Sequence, residues 1–332
     1  MRRLKPILDD ESGVTAVILA VILIPLIGIV ALVLDVGLMR WEVRQLQNGA
    51  DAAALAIAQA CADGLDCRDM ADAMALDLTR ANANDGSAEA VVEFDTAGAN
   101  TVTVTASTRD LSGDARLPYL FAPALGIDEG SFERAATAVW GPMALAGVSL
   151  PITISECEWV NATGNGSQLP SPSYVFEIKT NPGVNECTMP NSPGHYSPGG
   201  WGWLDPTGTG CQAIITPTGV PGNTGSGPPS PDCNANSFNY PSLLGQTFLI
   251  PIHNRVNGPG GNPTSYDMLG YGAFTITSYK LSGNISGGPD ICPGNGNNQR
   301  CLIGFFQELV PIEGDVDPDL PDLGVRTVQL IG

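Results

Sequence analysis

Two histidines, His195 and His253, are all that this 332-residue chain contains. Nucleophilic catalysis needs a nucleophile, a base and a group that orients the base. Neither histidine lies in a motif that supplies them, and no G-x-S-x-G elbow is present. His195 falls in the turn-rich Pro193-Gly194-His195-Tyr196 and His253 at the end of an apolar strand, so both read as structural or solvent-exposed. C-x-x-C spacing is absent, and two imidazoles are too few for a metal cluster. Forty glycines include no phosphate-binding loop. Basic residues are scarce as well: 15 Lys and Arg against 34 Asp and Glu, a net charge of −19. Removing Arg2, Arg3 and Lys5, and Asp9, Asp10 and Glu11, leaves 12 against 31 from Val14 onward. Such a body repels phosphate backbones, which excludes nucleic acid as a partner. The expectation is a protein without catalysis, cofactor or bound metal.

One long stretch is free of charge. Val14 to Leu34 gives 21 consecutive uncharged residues. As a helix at ~1.5 Å per residue it matches a hydrocarbon core of ~30 Å. Residues 1–13 then read as a cytosolic stub, 14–34 as one transmembrane helix in a lipid bilayer, and the remainder as an extracytoplasmic body. Arg2, Arg3 and Lys5 precede the run, while Arg40 and Arg44 follow it, which favours an N-terminus inside. The run is too long for a signal peptide and continues into Asp35-Val36-Gly37-Leu38 without a small-residue cleavage step. Beyond it, Val36, Met39, Val43, Leu46, Ala50, Ala53, Ile57 and Ala60 recur at steps of three and four. That heptad seam extends the anchor into a rod from Val14 to Ala60, about 70 Å long. The seam fits partner helices of the same kind, or packing on the chain's own next domain, or both.

Eight cysteines, Cys61, Cys67, Cys157, Cys187, Cys211, Cys233, Cys292 and Cys301, all follow the apolar run. An even count beyond an export signal points to disulfides in an oxidising compartment. Over a hundred pairings are open to eight cysteines. Pairing of nearest neighbours in sequence is the expectation: 61–67, 157–187, 211–233 and 292–301.

Residues 35–140 read as a helical extension followed by a small α+β unit. Gly64 ends the first helix, Arg68 to Asn82 forms a second, and Glu89–Asp95, Asn100–Ser107 and Ser131–Trp140 form strands. A short helix is expected near Leu117 to Leu125. From about Val148 the texture changes, and 23 of the 27 prolines lie after Gly141. Seven strand candidates, Leu150–Ser155, Tyr174–Lys179, Gln212–Thr216, Thr247–His253, Tyr271–Leu281, Leu302–Pro311 and Val325–Ile331, alternate with Gly- and Pro-rich loops and no convincing helix. Residues 148–332 therefore read as a disulfide-bonded all-β domain, sandwich or barrel-like, and the whole chain as α+β. Within it, Trp201-Gly202-Trp203 offers two indoles that could stack on a glycan or a protein, or else cap the β core. Asp315, Asp317 and Asp319 open like a calcium loop, but Leu320 and Arg326 stand where such a loop needs Gly and Glu, so a solvated acidic loop is expected.

The order Asp9-Asp10-Glu11-Ser12-Gly13-Val14, an apolar run around Pro25, Asp35-Val36-Gly37, and Leu46-Gln47-Asn48-Gly49-Ala50-Asp51-Ala52-Ala53-Ala54-Leu55-Ala56 resembles the N-terminal region of TadE/TadG-like proteins of bacterial tight-adherence (Flp pilus) systems. The segment Leu117 to Trp140, with Phe121, Leu125-Gly126-Ile127 and Ala135 to Trp140, is similar to the part of such proteins that lies beyond that region. The resemblance implies a pilin-like accessory component anchored in the bacterial cell membrane, with other pilin-like or pilus-assembly proteins as partners. A surface adhesin or glycan- or protein-binding module built on Trp201 and Trp203 is the alternative. Class III prepilins cleaved after a glycine carry Glu at the fifth mature position, where Ile18 stands here, so the resemblance does not extend to cleavage after Gly13. Nor does it extend to the metal-binding Asp-x-Ser-x-Ser motif of larger family members, which this sequence lacks.

Overall fold

The computed structural model describes residues 12–95, 100–148, 150–178, 201–207, 210–223, 230–234, 238–258, 264–282, 285–290, 292, 300–311 and 314–331. His195, Cys187, Arg2, Arg3 and Lys5 lie outside these residues.

A single helix, α1 (Ser12–Ala62), runs through Pro25 without interruption and carries the apolar stretch and the seam in one rod. Helix α2 (Cys67–Asn82) turns back against its C-terminal half. Strands β1 (Ala88–Phe94), β2 (Thr101–Thr108) and β3 (Glu133–Pro142) follow as an antiparallel meander. In β2 the pleat puts Val102, Val104 and Ala106 on the buried face and Thr101, Thr103 and Thr105 on the half-exposed one. That buried face packs on α1 and α2 through a core dominated by alanine: Ala50, Ala53, Ala54, Ala58, Ala71, Ala75, Ala136 and Ala138, with Leu46 and Ile57 as its large members. Small side chains bring the backbones together. At Gly49 an added Cβ would lie 3.0 Å from the Cα of Thr79 in α2, so glycine is the residue that this crossing admits.

The second unit contains β4 (Ile152–Ser155), α3 (Glu156–Thr163), β5 (Tyr174–Ile178), β6 (Trp201–Leu204), β7 (Val220–Asn223), β8 (Thr247–Asn257), β9 (Thr264–Lys280) and β10 (Arg300–Gln307). Five of these strands close a barrel in the order β7-β6-β4-β8-β9, with β9 returning to β7. Only the β4–β8 pairing is parallel among the barrel pairs. The 17-residue β9 is long enough to serve two purposes: its first part closes the barrel, and its second pairs with β10, which pairs with β5. Trp203, Phe176, Phe274, Phe306, Ile152, Ile154, Ile250 and Ile252 pack into one buried cluster that joins barrel strands to β5 and β10.

The last strand, β11 (Arg326–Leu330), corrects the expected domain limits. Expected in the distal domain, it instead joins the first sheet beside β3, Val328 opposite Trp140, giving the order β1-β2-β3-β11. The chain thus leaves the α+β unit, builds the barrel and comes back. Two further elements depart from expectation. Helix α3 occupies a stretch expected to be free of helix, although Ser155-Glu156-Cys157-Glu158 is a capping-box sequence; the Ser155 hydroxyl accepts from the Glu158 N–H at 3.3 Å. Strand β7 lies inside a Gly- and Pro-rich stretch that reads as loop, while the expected strand Gln212–Thr216 contributes only the two-residue pairing of Ala213–Ile214 with Gly147–Val148.

Disulfides Cys61–Cys67, Cys211–Cys233 and Cys292–Cys301 join cysteines that are neighbours in sequence. Cys157 is disulfide-bonded too. The first bond ties the end of α1 to the start of α2. Arg326 secures that same end: its Nη1 donates to the Ala62 carbonyl at 2.8 Å, and Nε pairs with Asp322 at 2.7 Å. A cation at the last carbonyls of a helix also suits the helix dipole.

Candidate membrane and assembly surface

Along α1 the apolar residues divide into two populations. From Ala16 to Leu34 the described side chains are exposed or, at Ala31, half-exposed, and they include Val17, Ile18, Leu19, Val21, Ile22, Leu26, Ile27, Ile29, Val30, Leu32 and Val33. A helix that is apolar all round and uncovered belongs in lipid or among other such helices. This is the helix of the described residues that is long and apolar enough to cross a membrane.

The seam lies below it, and the structure splits it. Val36 is 41% exposed, and Met39 and Val43 are half-buried. Leu46, Ala50, Ala53 and Ile57 are buried in the chain's own alanine core. These four face α2 and the sheet, so they do not present a surface to a partner. The heptad periodicity is real, but from Leu46 onward the occupant of its holes is intramolecular.

At the junction between the two populations stands Asp35. It is 5% exposed, on a helix whose preceding turns are bare. Its carboxylate accepts backbone N–H bonds from a loop 85 to 87 residues away: Leu120 at 2.9 Å, Phe121 at 3.0 Å and Ala122 at 2.6 Å. These are the free donors that open the 3-10 turn Ala122–Leu125, which ends on Gly126 in the left-handed region. Burial acts to raise the Asp35 pKa, the backbone donors act to lower it, and the net result lies below the ordinary aspartate value. The sequence marked Asp35 only as part of a motif. Nothing local shows that its ligands are the N–H groups of Leu120 to Ala122.

The Trp201–Trp203 hypothesis is overturned for Trp203. The indole is fully buried in the cluster with Phe176, Phe274 and Phe306, and β6 pairs with both β4 and β7. Gly202 separates the tryptophans because the Tyr266 ring occupies the space that a side chain would need. The Trp201 side chain lies outside what the structure describes. His253 is also fully buried, 4.8 Å from the Tyr266 ring. The Thr153 hydroxyl lies within hydrogen-bond distance of the Pro251 carbonyl, at 2.9 Å, and of His253 Nδ1, at 2.8 Å. The register of β8 against β9 shifts on both sides of His253. The aspartates of the Asp315 run are half-buried or exposed, and among the described residues no cluster of His, Cys, Asp or Glu is arranged to hold a metal.

Residues 13–60 match the family model described as Flp pilus-assembly TadE/G-like. The matched stretch is the apolar run, Asp35 and the helical half that builds the alanine core. This N-terminal region is therefore of the pilus-assembly type, which associates the protein that carries it with a Flp or tight-adherence pilus. Neither the curated proteins nor the solved structures contain a significant match to the chain.

Proposed function

We propose that the protein is a non-enzymatic, single-span component of a tight-adherence pilus or secretion apparatus. Its N-terminus lies inside and its disulfide-bonded body outside the membrane. The observation that carries this reading is the two-sided character of α1. One continuous helix is bare and apolar over Ala16 to Leu34, then becomes the central element of a folded head. Pilin-like subunits need that combination, because assembly through a helix requires a face that the head has not already covered. The free face here is the apolar half together with Val36, Leu38 and the upper seam at Met39 and Val43; partner pilin-like helices would pack there.

Photocrosslinking from a reactive residue at Val36 or Leu38, in cells that contain the pilus system, tests the proposal. The expected product is a crosslink to another pilus-assembly protein, and protease added to spheroplasts should remove the body. Crosslinks to lipid alone, with the body protected from protease, would refute it.

A further inference from the structure

The loop that Asp35 holds has a surface that the α+β unit does not need. Leu120 to Ile127 reads Leu-Phe-Ala-Pro-Ala-Leu-Gly-Ile, without a charge. Leu120, Phe121 and Ile127 are 67%, 44% and 55% exposed. Three large apolar side chains on one loop, left in water, call for a cover.

Position identifies the cover. Asp35 is one residue past the end of the apolar run, and it is the one charged residue between Val14 and Met39. The loop's N–H groups enclose its carboxylate, so from Ala16 to Met39 the described surface of α1 presents almost no charge. The first exposed charge is Arg40, beside the exposed Trp41, a pairing typical of the headgroup layer. Leu34 to Arg40 spans about 9 Å of helix rise. That is comparable to the ~5–10 Å depth at which interfacial segments lie. The loop is pinned within this band, next to the anchor. On its far side Asp128 and Glu129 restore an exposed polar rim.

We propose that Leu120–Ile127 is a second membrane contact: a wedge seated in the outer-leaflet interface beside the anchor, with Asp35 setting its depth. The inference rests on the anchored reading above. A single helix leaves a head free to tilt. Two contacts fix the face that the head turns to the membrane plane.

Nitroxide labels at Leu120→Cys, Ile127→Cys, Leu23→Cys and Leu65→Cys test it in the full chain with its native cysteines oxidised. Each variant is reconstituted at one chain or fewer per vesicle of phosphatidylcholine and phosphatidylglycerol. Circular dichroism confirms the fold of each. Leu23 lies mid-span, and the exposed Leu65 lies beyond the far end of α1, so they bracket the range. The ratio of collision with oxygen to collision with a water-soluble nickel chelate should be severalfold higher at 120 and 127 than at 65, and lower than at 23. Labels at 120 and 127 that behave like 65, with 23 in lipid, overturn the wedge and leave the anchor standing. A water-accessible label at 23 overturns the anchored reading itself. Shielding that appears only with several chains per vesicle assigns the loop to a second copy and overturns the lipid proposal.

Discussion

At the residue scale, two buried groups, Asp35 and His253, link the stability of this chain to pH. Asp35 converts three orphan N–H groups into a tether between positions far apart in sequence. Replacing it with Asn keeps the shape and removes the charge, and hydrogen bonds to a charged acceptor are stronger than those to a neutral one. Amide exchange at Leu120 to Ala122 should therefore accelerate at least tenfold in Asp35→Asn, with the β2 amides unchanged; equal protection in both proteins would show that the tether is idle. Because its folded pKa lies below 3.8, the unfolded chain takes up the proton first. The contribution is complete above that value and is lost as pH falls through the folded one. His253 acts in the same direction over a different window. Burial depresses it from 6.5 to about 3, so below pH 6.5 the unfolded chain binds a proton that the folded barrel excludes. Barrel stability is full above 6.5 and declines from there toward 3. Thermal unfolding should show the decline between pH 6.5 and 5, and His253→Gln should flatten that slope. An unchanged slope in the variant would assign the acid sensitivity to other groups.

At the element scale, α1 is the decisive structure, because it is asked to suit two solvents. Its first half needs no partner in the chain. Its second half is built to be approached, with Gly49 against Thr79 and a row of alanines facing the sheet. Gly49→Val would force α2 away and should cost about 1–3 kcal/mol as overpacking does, read as a lower melting temperature of the head. The expected effect of an acidic substitution also changes along the seam. At Leu46 or Ala50 it would bury a charge in the alanine core and unfold the head, so loss of assembly there carries no information about contacts. At Val36, exposed and outside that core, it leaves the fold alone and tests the contact.

At the scale of the whole molecule, the barrel is an insertion between β3 and β11. Barrel and rod end are joined where Arg326 meets Ala62, Asp322 and, at 3.5 Å, Glu308. The apolar half of α1 contributes no buried side chain to either unit among its described residues. A chain beginning at Asp35 and exported to an oxidising compartment should thus fold as a soluble head. Its disulfides and melting temperature should match those of the full chain in detergent. Aggregation with free thiols would show that the anchor takes part in folding.

What could be read from the amino acids was whatever is local. The length of the apolar run, the alternation in Thr101–Thr108, the turn residues around the strands and the nearest-neighbour cysteines all express short-range geometry, and each has its counterpart in the structure. The capping box before α3 was equally local and was there to be found. Periodicity shows that a face is apolar but not what covers it, so the seam could not be assigned from its spacing. Nor could the sequence show that β11 crosses back to β3, that five strands close on themselves, that Trp203 is core rather than binding surface, or that Asp35 meets Leu120. Those pairings join residues far apart in the chain, where closure entropy must be overcome by the packing of the whole fold, and only the tertiary structure selects among them.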